Sequence, residues 1–276
     1  MHRRTFLRGS GGAIAGLTFA GNASAQGGTI RIGSDIPYRP FEYRTATGEL
    51  IGFDVDIANA IFKQQLGDNY EFVQTSFDTI IPSLNNGNFR VIMSAMTITP
   101  ERAKQVDFSD PYFTAYQTVL VLKNSGITKL QDLKGQTVAV QKGTTGEAAA
   151  QMLKKQFNGN LTIDSYDQIP DAFSALGNNQ AAAVINDNTV NQAFAQQNNQ
   201  VTLLQGKGAA ERQGKKNAPP YLTLTVEDYG IAFRKNDDKL RKQVNGALST
   251  IRNNGTYDKL YNKYFQTSGS GGTTSG

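Results

Sequence analysis

The chain contains no cysteine and no tryptophan, and its single histidine is His2. Without disulfides, stability must come from a buried apolar core, which a chain of this length can supply in one large domain or two smaller ones. With histidine confined to the second position, a Ser-His-Asp triad, a cysteine nucleophile and any His/Cys metal site are excluded from the folded part. Carboxylate, lysine and tyrosine chemistry remains. No metal and no cofactor is expected. Long apolar runs are also lacking, since none reaches the roughly 18 residues that a membrane-crossing helix requires.

Strong charge of one sign is missing too. The 28 basic residues stand against 23 acidic ones, and three of the basic ones, Arg3, Arg4 and Arg8, open the chain. They precede an apolar, Gly-rich stretch from Gly11 to Ala20 and the small-residue site Ala23-Ser24-Ala25. This is the pattern of an export signal over residues 1–25, cleaved after Ala25. The paired arginines in HRRTFLR match the twin-arginine type. The protein is therefore expected in the periplasm or outside the cell. The remaining 25 basic and 23 acidic residues leave a balance near +2, which is no footprint for nucleic acid. At the other end, residues 267–276 read TSGSGGTTSG, a tail with nothing to bury that is expected to be disordered.

Between these ends, short β-rich runs alternate with helical patterns, the signature of an α/β fold. Ile30–Ile32 reads as a strand followed by an irregular loop with Pro37 and Pro40. Phe53, Ile57, Ala60, Ile61 and Gln64 recur at helical spacing until Gly67. Glu71–Val73 is a strand, Phe77, Ile80, Ile81 and Leu84 form a helical face, and Val91–Met93 is a strand. Thr118–Leu122 is a continuous apolar run of the kind a covered strand shows. A second series follows, with strands at Val138–Val140, Leu161–Ile163 and Ala183–Ile185. Helices are read at Glu147–Phe157, at Asp171–Leu176 and through Phe194. After the polar stretch Lys207–Pro220 come a strand at Gly230–Phe233 and a helical pattern from Leu240 to Phe265, broken near Gly255.

Several segments carry candidate binding chemistry. In VAVQKGTTGE (Val138–Glu147), a strand runs through a Gly143/Gly146 turn into a helix. The N–H groups of such a start favour an anion, and Thr144 and Thr145 add hydroxyls; a plain capped helix start is the alternative. In SAMTITPER (Ser94–Arg102), Thr99 can cap a helix that Pro100 begins. Arg102 then lies at the positive end of that helix, facing an anionic partner or only solvent. Asp187 follows a covered strand, off whose carboxyl end ligands bind in open α/β sheets; it can equally be a helix N-cap. Tyr38, Phe41 and Phe77 can wall a ligand or pack in the core. Asp35, at the end of the first strand, faces the site or solvent. Taken together, a carboxylate holder and a carboxylate for an ammonium complement a zwitterionic amino acid.

The ordered segments GSDIPYRPFEY, GELIGFDVDIANAI, SFDTIIPSL, MTITPERAKQVDFSDPYF, LQDLKGQTVAVQKGTTGE and GTYDKLYNKYF run from Thr29 to Phe265. Through them the chain resembles the polar-amino-acid branch of the extracellular solute-binding proteins that serve ABC importers. The resemblance implies a type II periplasmic-binding-protein fold of two α/β lobes joined by two crossing strands, with the ligand closed between them. The expected lobes are residues 29–116 plus 228–265, and 119–223, hinged near Gln117 and Val226. Carried over by residue, Arg102 would clamp the ligand carboxylate, helped by Thr97 and Thr145. Asp187 with Ser94 and Ala95 would hold the α-ammonium, and Tyr38 and Phe77 would flank the ligand. Asp35, Gln141 and Asn186 would meet the side chain, with Met96 and Thr144 in the same binding segments. The chain departs from the family at Arg90 and Ala182, which puts local packing and lobe closure in question. The expected partners are the amino acid and the permease of an ABC importer, with the protein a monomer. L-Arginine is expected first, then glutamine or lysine. A dehydratase-type enzyme and the sensing module of a receptor use the same fold; the first lacks spare acid–base groups here.

Overall fold

Two runs of alternating strand and helix fold into two separate sheets, described by a computed structural model over residues 28–266. The export signal expected at 1–25 and the tail expected at 267–276 lie outside these residues. Strand β1 (Ile30–Ser34) leads through a loop to a short hairpin, β2 (Tyr43–Arg44) and β3 (Leu50–Ile51). Helix α1 (Phe53–Ala58) widens into π turns over Asn59–Gln65, and Gly67 follows at φ 71°. Its helical spacing buries Phe53, Ile57, Ala60 and Ile61 as one face. Then come β4 (Tyr70–Gln74), a 3-10 turn over Phe77–Thr79, α2 (Ile80–Asn85), β5 (Val91–Ile92), α3 (Pro100–Ala103) and β6 (Val106–Phe108).

The long strand β7 (Phe113–Leu122) leaves this region and starts the second series. That series comprises β8 (Thr137–Gln141), α4 (Thr145–Gln156), β9 (Thr162–Tyr166), α5 (Ile169–Gly177), β10 (Ala183–Asp187), α6 (Asn188–Gln197), β11 (Val201–Leu203) and α7 (Ala209–Arg212). Strand β12 (Thr223–Tyr229) returns, and β13 (Ala232–Arg234), α8 (Asp238–Asn253) and α9 (Thr256–Phe265) finish the described chain.

The first sheet has the order β4-β1-β5-β13-β6, so the late strand β13 sits between strands of the first series. The second runs β11-β7-β10-β8-β9, with β12 paired to β7. Each sheet carries its own α/β layer, which makes the fold a two-lobed type II arrangement. The lobes are joined by the antiparallel pair β7–β12, in which Tyr116 faces Val226 and Gln117 faces Thr225, with a register shift between Thr223 and Thr225. Strand β12 is not visible in the apolar periodicity, because TLTVEDY interleaves polar side chains that the cleft buries. The last strand also begins later than its apolar run. Gly230 instead packs against Ile98 and Phe108, where a Cβ would come within 2.9 Å of Ile98.

The cores follow the sheets. Ile32, Ile57, Phe62, Val244 and Ile251 pack α1 and α8 on the first sheet, and Val138, Val140, Ala150, Leu153 and Ile185 pack α4 on the second. Each such side chain contributes roughly 1.5–3 kcal/mol on burial. Helix α9 brings Phe265 to 4.8 Å from the Phe113 ring and 5.1 Å from the Phe53 ring, so an aromatic cluster anchors the start of β7. Arg90 forms a bidentate pair with Asp237, at 2.8 and 2.9 Å. The Ala182 N–H donates to the Thr137 carbonyl at 2.8 Å. No described helix is long and apolar enough to cross a membrane.

Candidate functional site

The ends of β1, β5, β8 and β10 converge on one cavity between the lobes. It is lined by Asp35, Tyr38, Phe77, Ser94, Ala95, Thr97, Arg102, Gln117, Gln141, Thr144, Thr145, Asn186 and Asp187. In open α/β sheets this is where backbone ends and helix starts leave polar groups free to meet a ligand.

Arg102 reaches the cavity because α3 is short and well capped. The Thr99 hydroxyl accepts the Arg102 N–H at 3.2 Å, and Pro100 takes the first turn. The side chain then turns inward and is 9% exposed, which rules out the surface alternative. Its Nη1 donates to the Thr97 carbonyl at 2.8 Å and its Nη2 to the Gly143 carbonyl of the other lobe at 3.1 Å. The guanidinium lies 5.1 Å from the Phe77 ring centroid. Two backbone acceptors and a stacked ring thus fix a fork of five N–H donors, a geometry suited to a carboxylate. Burial pulls its pKa down from the ordinary value, opposed by the Glu227 and Asp187 carboxylates.

Asp187 occupies the N-cap position of α6, yet its side chain makes no capping bond. It turns into the cleft instead, where the Tyr38 hydroxyl lies 2.7 Å from Oδ2 and Tyr229 and Gln117 also donate to it. Burial, reinforced by the nearby Glu227 carboxylate, raises its pKa to about 7. Opposite it is the Ser94–Ala95 turn, whose two carbonyls meet no protein donor among the described residues. A carboxylate and free carbonyls facing one space can hold an ammonium group.

Elsewhere on the cavity wall, Asp35 accepts from Gln168 Nε2 at 2.6 Å and from Gln141 Nε2. Burial raises its pKa to about 6, against the lowering effect of these two amides. Asn186 shares the Tyr38 hydroxyl at 2.9 Å, and its own amide nitrogen has no partner among the described residues. The turn at Gly143 (φ 76°) presses the lobes together: a Cβ there would come within 2.9 Å of the Asp78 Cα, and Lys142 pairs with Asp78 at 2.9 Å.

Two expected residues stand differently. Met96 is fully buried in the first lobe's core with Ile80, Leu84 and Ile92 rather than on the cavity wall, because alternation along the segment turns its side chain away from Ala95 and Thr97. Thr144 lines the cavity but spends its hydroxyl on the start of α4, accepting the Glu147 N–H at 3.2 Å and donating to the Gln141 carbonyl at 2.6 Å. The Gly143 N–H of the same turn donates to the Glu147 carboxylate at 2.8 Å, so part of this start is self-capped. Phe41 packs in the core, 5.1 Å from Phe113. Sequence reasoning missed Gln117, Glu227 and Tyr229 on the crossing strands and Gln168 before α5. Glu227 Oε2 accepts from the hydroxyls of both Thr97 and Thr145, each at 2.7 Å.

The model of the bacterial extracellular solute-binding proteins, family 3, matches residues 30–267. The chain belongs to this family. A probable histidine-binding protein of Neisseria gonorrhoeae is 35% identical over 92% of this chain and 89% of its own length. The ABC transporter glutamine-binding protein of Bacillus subtilis is 36% identical over 80% of this chain and 75% of its own length. Among solved structures, an ancestral arginine-binding protein bound to arginine matches with a TM-score of 0.77 and 38% identity. It covers 87% of this chain and 100% of its own. These relatives are named as amino-acid-binding proteins, the Bacillus subtilis one as part of an ABC transporter.

Proposed function

We propose that the cavity captures a cationic or amide-bearing L-amino acid, arginine before glutamine or lysine, and hands it to the permease of an ABC importer. The reading rests on the charge balance of the lining. Its ionisable residues, tyrosine aside, are one cation, Arg102, and two carboxylates, Asp187 and Asp35. Arg102 and Asp187 match the α-carboxylate and the α-ammonium, and Asp35 then faces the ligand's side chain. A guanidinium pairs with Asp35, bonds the Gln141 and Asn186 amides and stacks on Phe77, the last worth about 0.5–2 kcal/mol. Glutamine satisfies the amides but leaves Asp35 without a cation, which is costly in a buried site. Glutamate and aspartate bring a like charge to Asp35 and are excluded. Relatives named for arginine, glutamine and histidine binding support the class of ligand.

The same reading assigns the moving parts as 29–116 with 228–265 against 119–223, hinged on β7 and β12 near Gln117 and Val226. Ligand contacts from both lobes are completed only on approach, the usual logic of hinge closure. It takes the chain to be exported by its twin-arginine leader, cleaved after Ala25, and to act as a monomer. Competition calorimetry with arginine, lysine, glutamine, histidine and glutamate tests the ligand directly. Tighter binding of glutamate than of arginine and glutamine would show that the Asp35 end is misread.

A further inference from the structure

Beneath the Ser94–Ala95 turn lies a group of buried acids that the binding chemistry does not use. Asp54, on the first turn of α1, and Glu42, beside the β2–β3 hairpin, are both fully buried. The hairpin folds them together: the Asp54 N–H donates to the Phe41 carbonyl at 3.0 Å, and Gly52 allows the approach, since a Cβ there would meet that carbonyl oxygen at 2.0 Å. Asp54 Oδ2 accepts the Ala95 N–H at 2.9 Å, and the Tyr112 hydroxyl lies 2.9 Å from each Asp54 oxygen. Glu42 Oε1 accepts the Ser94 hydroxyl at 2.8 Å, and Ser94 Oγ in turn accepts the Asp35 N–H at 2.9 Å. Ala95 is held at φ 46°, a left-handed conformation that alanine rarely adopts.

The charge state follows from the surroundings. The groups facing the pair are Ser34, Asp35, Tyr38, Ser94, Tyr112 and, more remotely, Tyr257, with no lysine or arginine among them. Two ionised carboxylates cannot share such a place. Asp54 has N–H and O–H donors on its oxygens, whereas Glu42 Oε2 has none among the described residues. A proton on that oxygen, donated toward Asp54, satisfies both. Burial and the Asp54 charge together push Glu42 well above the ordinary carboxylate range.

We propose that Glu42 and Asp54 are positioning residues, a proton-sharing acid pair that grips Ser94 and Ala95 from below and so presents their free carbonyls to the ligand's ammonium. The ligand arm of the test rests on the amino-acid reading above. Calorimetry would compare L-arginine with its desamino analogue, 5-guanidinopentanoic acid, on the parent chain, Glu42→Gln, Glu42→Ala and Asp54→Ala. The amide in Glu42→Gln can still donate to Asp54 and accept from Ser94, so arginine affinity should stay within about threefold of the parent. Glu42→Ala and Asp54→Ala should lose about 30-fold or more for arginine while losing little for the analogue, because only the ammonium site is disturbed. Equal losses for both ligands would overturn the proposal. Amide exchange at Ala95 in the protein without added amino acid gives a second test that needs no ligand, read against amides of the second lobe to show that each variant is folded. Protection should persist in Glu42→Gln and fall in Glu42→Ala, and identical protection in the two would overturn the idea. A parent chain that bound no amino acid would sink the functional reading, while the exchange result would still decide the role of the pair.

Discussion

The two ends of the cleft are built differently. Around Arg102 and Asp187 the polar groups are fixed by backbone and covalently short parts: a capped single turn, two peptide carbonyls, a strand end and the hydroxyls of Tyr38 and Tyr229. Around Asp35 the partners are two glutamine amides on long side chains, Gln141 and Gln168. The first end suits groups common to all α-amino acids, which never change. The second can re-aim its amides around different side chains without moving the backbone. Under the proposed reading, such a division lets one cleft take amino acids that differ only in their side chains.

The strongest way to break this comparison is at the rigid end. Arg102→Ala should lower affinity for every α-amino acid by about 2–5 kcal/mol, the range for truncating one partner of a buried charge pair. Arg102→Lys should also bind poorly, since an ammonium cannot reproduce the planar fork. Titration calorimetry with arginine and glutamine checks both, and affinity within threefold of the parent in the alanine variant would place the ligand elsewhere.

A smaller and more selective effect is expected at the adaptable end. Asp35→Asn should cost arginine about 1.5–3 kcal/mol, the value of a hydrogen bond to a charged group, and cost glutamine under about 1 kcal/mol. The ratio of the two affinities would thereby shift toward glutamine. If both ligands weakened equally, Asp35 would be supporting the fold of the cleft rather than reading the side chain.

The rigid end was also the more legible in sequence. Thr99-Pro100-Glu101 announces a helix start, and the alternation SAMT assigns sides once one residue is placed, which turns Met96 toward the core and away from Ala95 and Thr97. The apolar run before Asp187 marked a covered strand, but only the structure separates the cap reading from the cleft reading, through the missing capping bond. Gln117, Glu227 and Tyr229 were out of reach. They alternate with polar or half-covered neighbours on β7 and β12, a pattern that reads as a solvent-facing edge until a second lobe covers it. Glu42 and Asp54 were hidden for a related reason. Charged side chains are ordinarily exposed, and nothing local to FEYR or GFDVD reveals that the hairpin folds one acid onto the other.

The two ends should separate in their pH response, which is the mildest of the expected effects. Asp187 has its pKa raised to about 7 by burial and by Glu227. An ammonium ligand needs the ionised form, so binding expels the proton that Asp187 carries below that value, and affinity rises with pH. At pH 6 about nine-tenths of Asp187 is protonated, so every amino acid should bind roughly tenfold more weakly than in the alkaline limit, about 1.4 kcal/mol. Asp35, raised to about 6, adds a second step that depends on the side chain. Arginine needs Asp35 ionised, and its affinity should fall more steeply below pH 6. Glutamine offers no cation there and tolerates the protonated acid, so its profile should keep the single slope set by Asp187. Calorimetry across pH 5 to 8, in two buffers of different ionisation enthalpy, counts the protons released for each ligand. A profile flat from pH 8 to 5.5, or identical for arginine and glutamine below pH 6, would remove the distinction between the two ends.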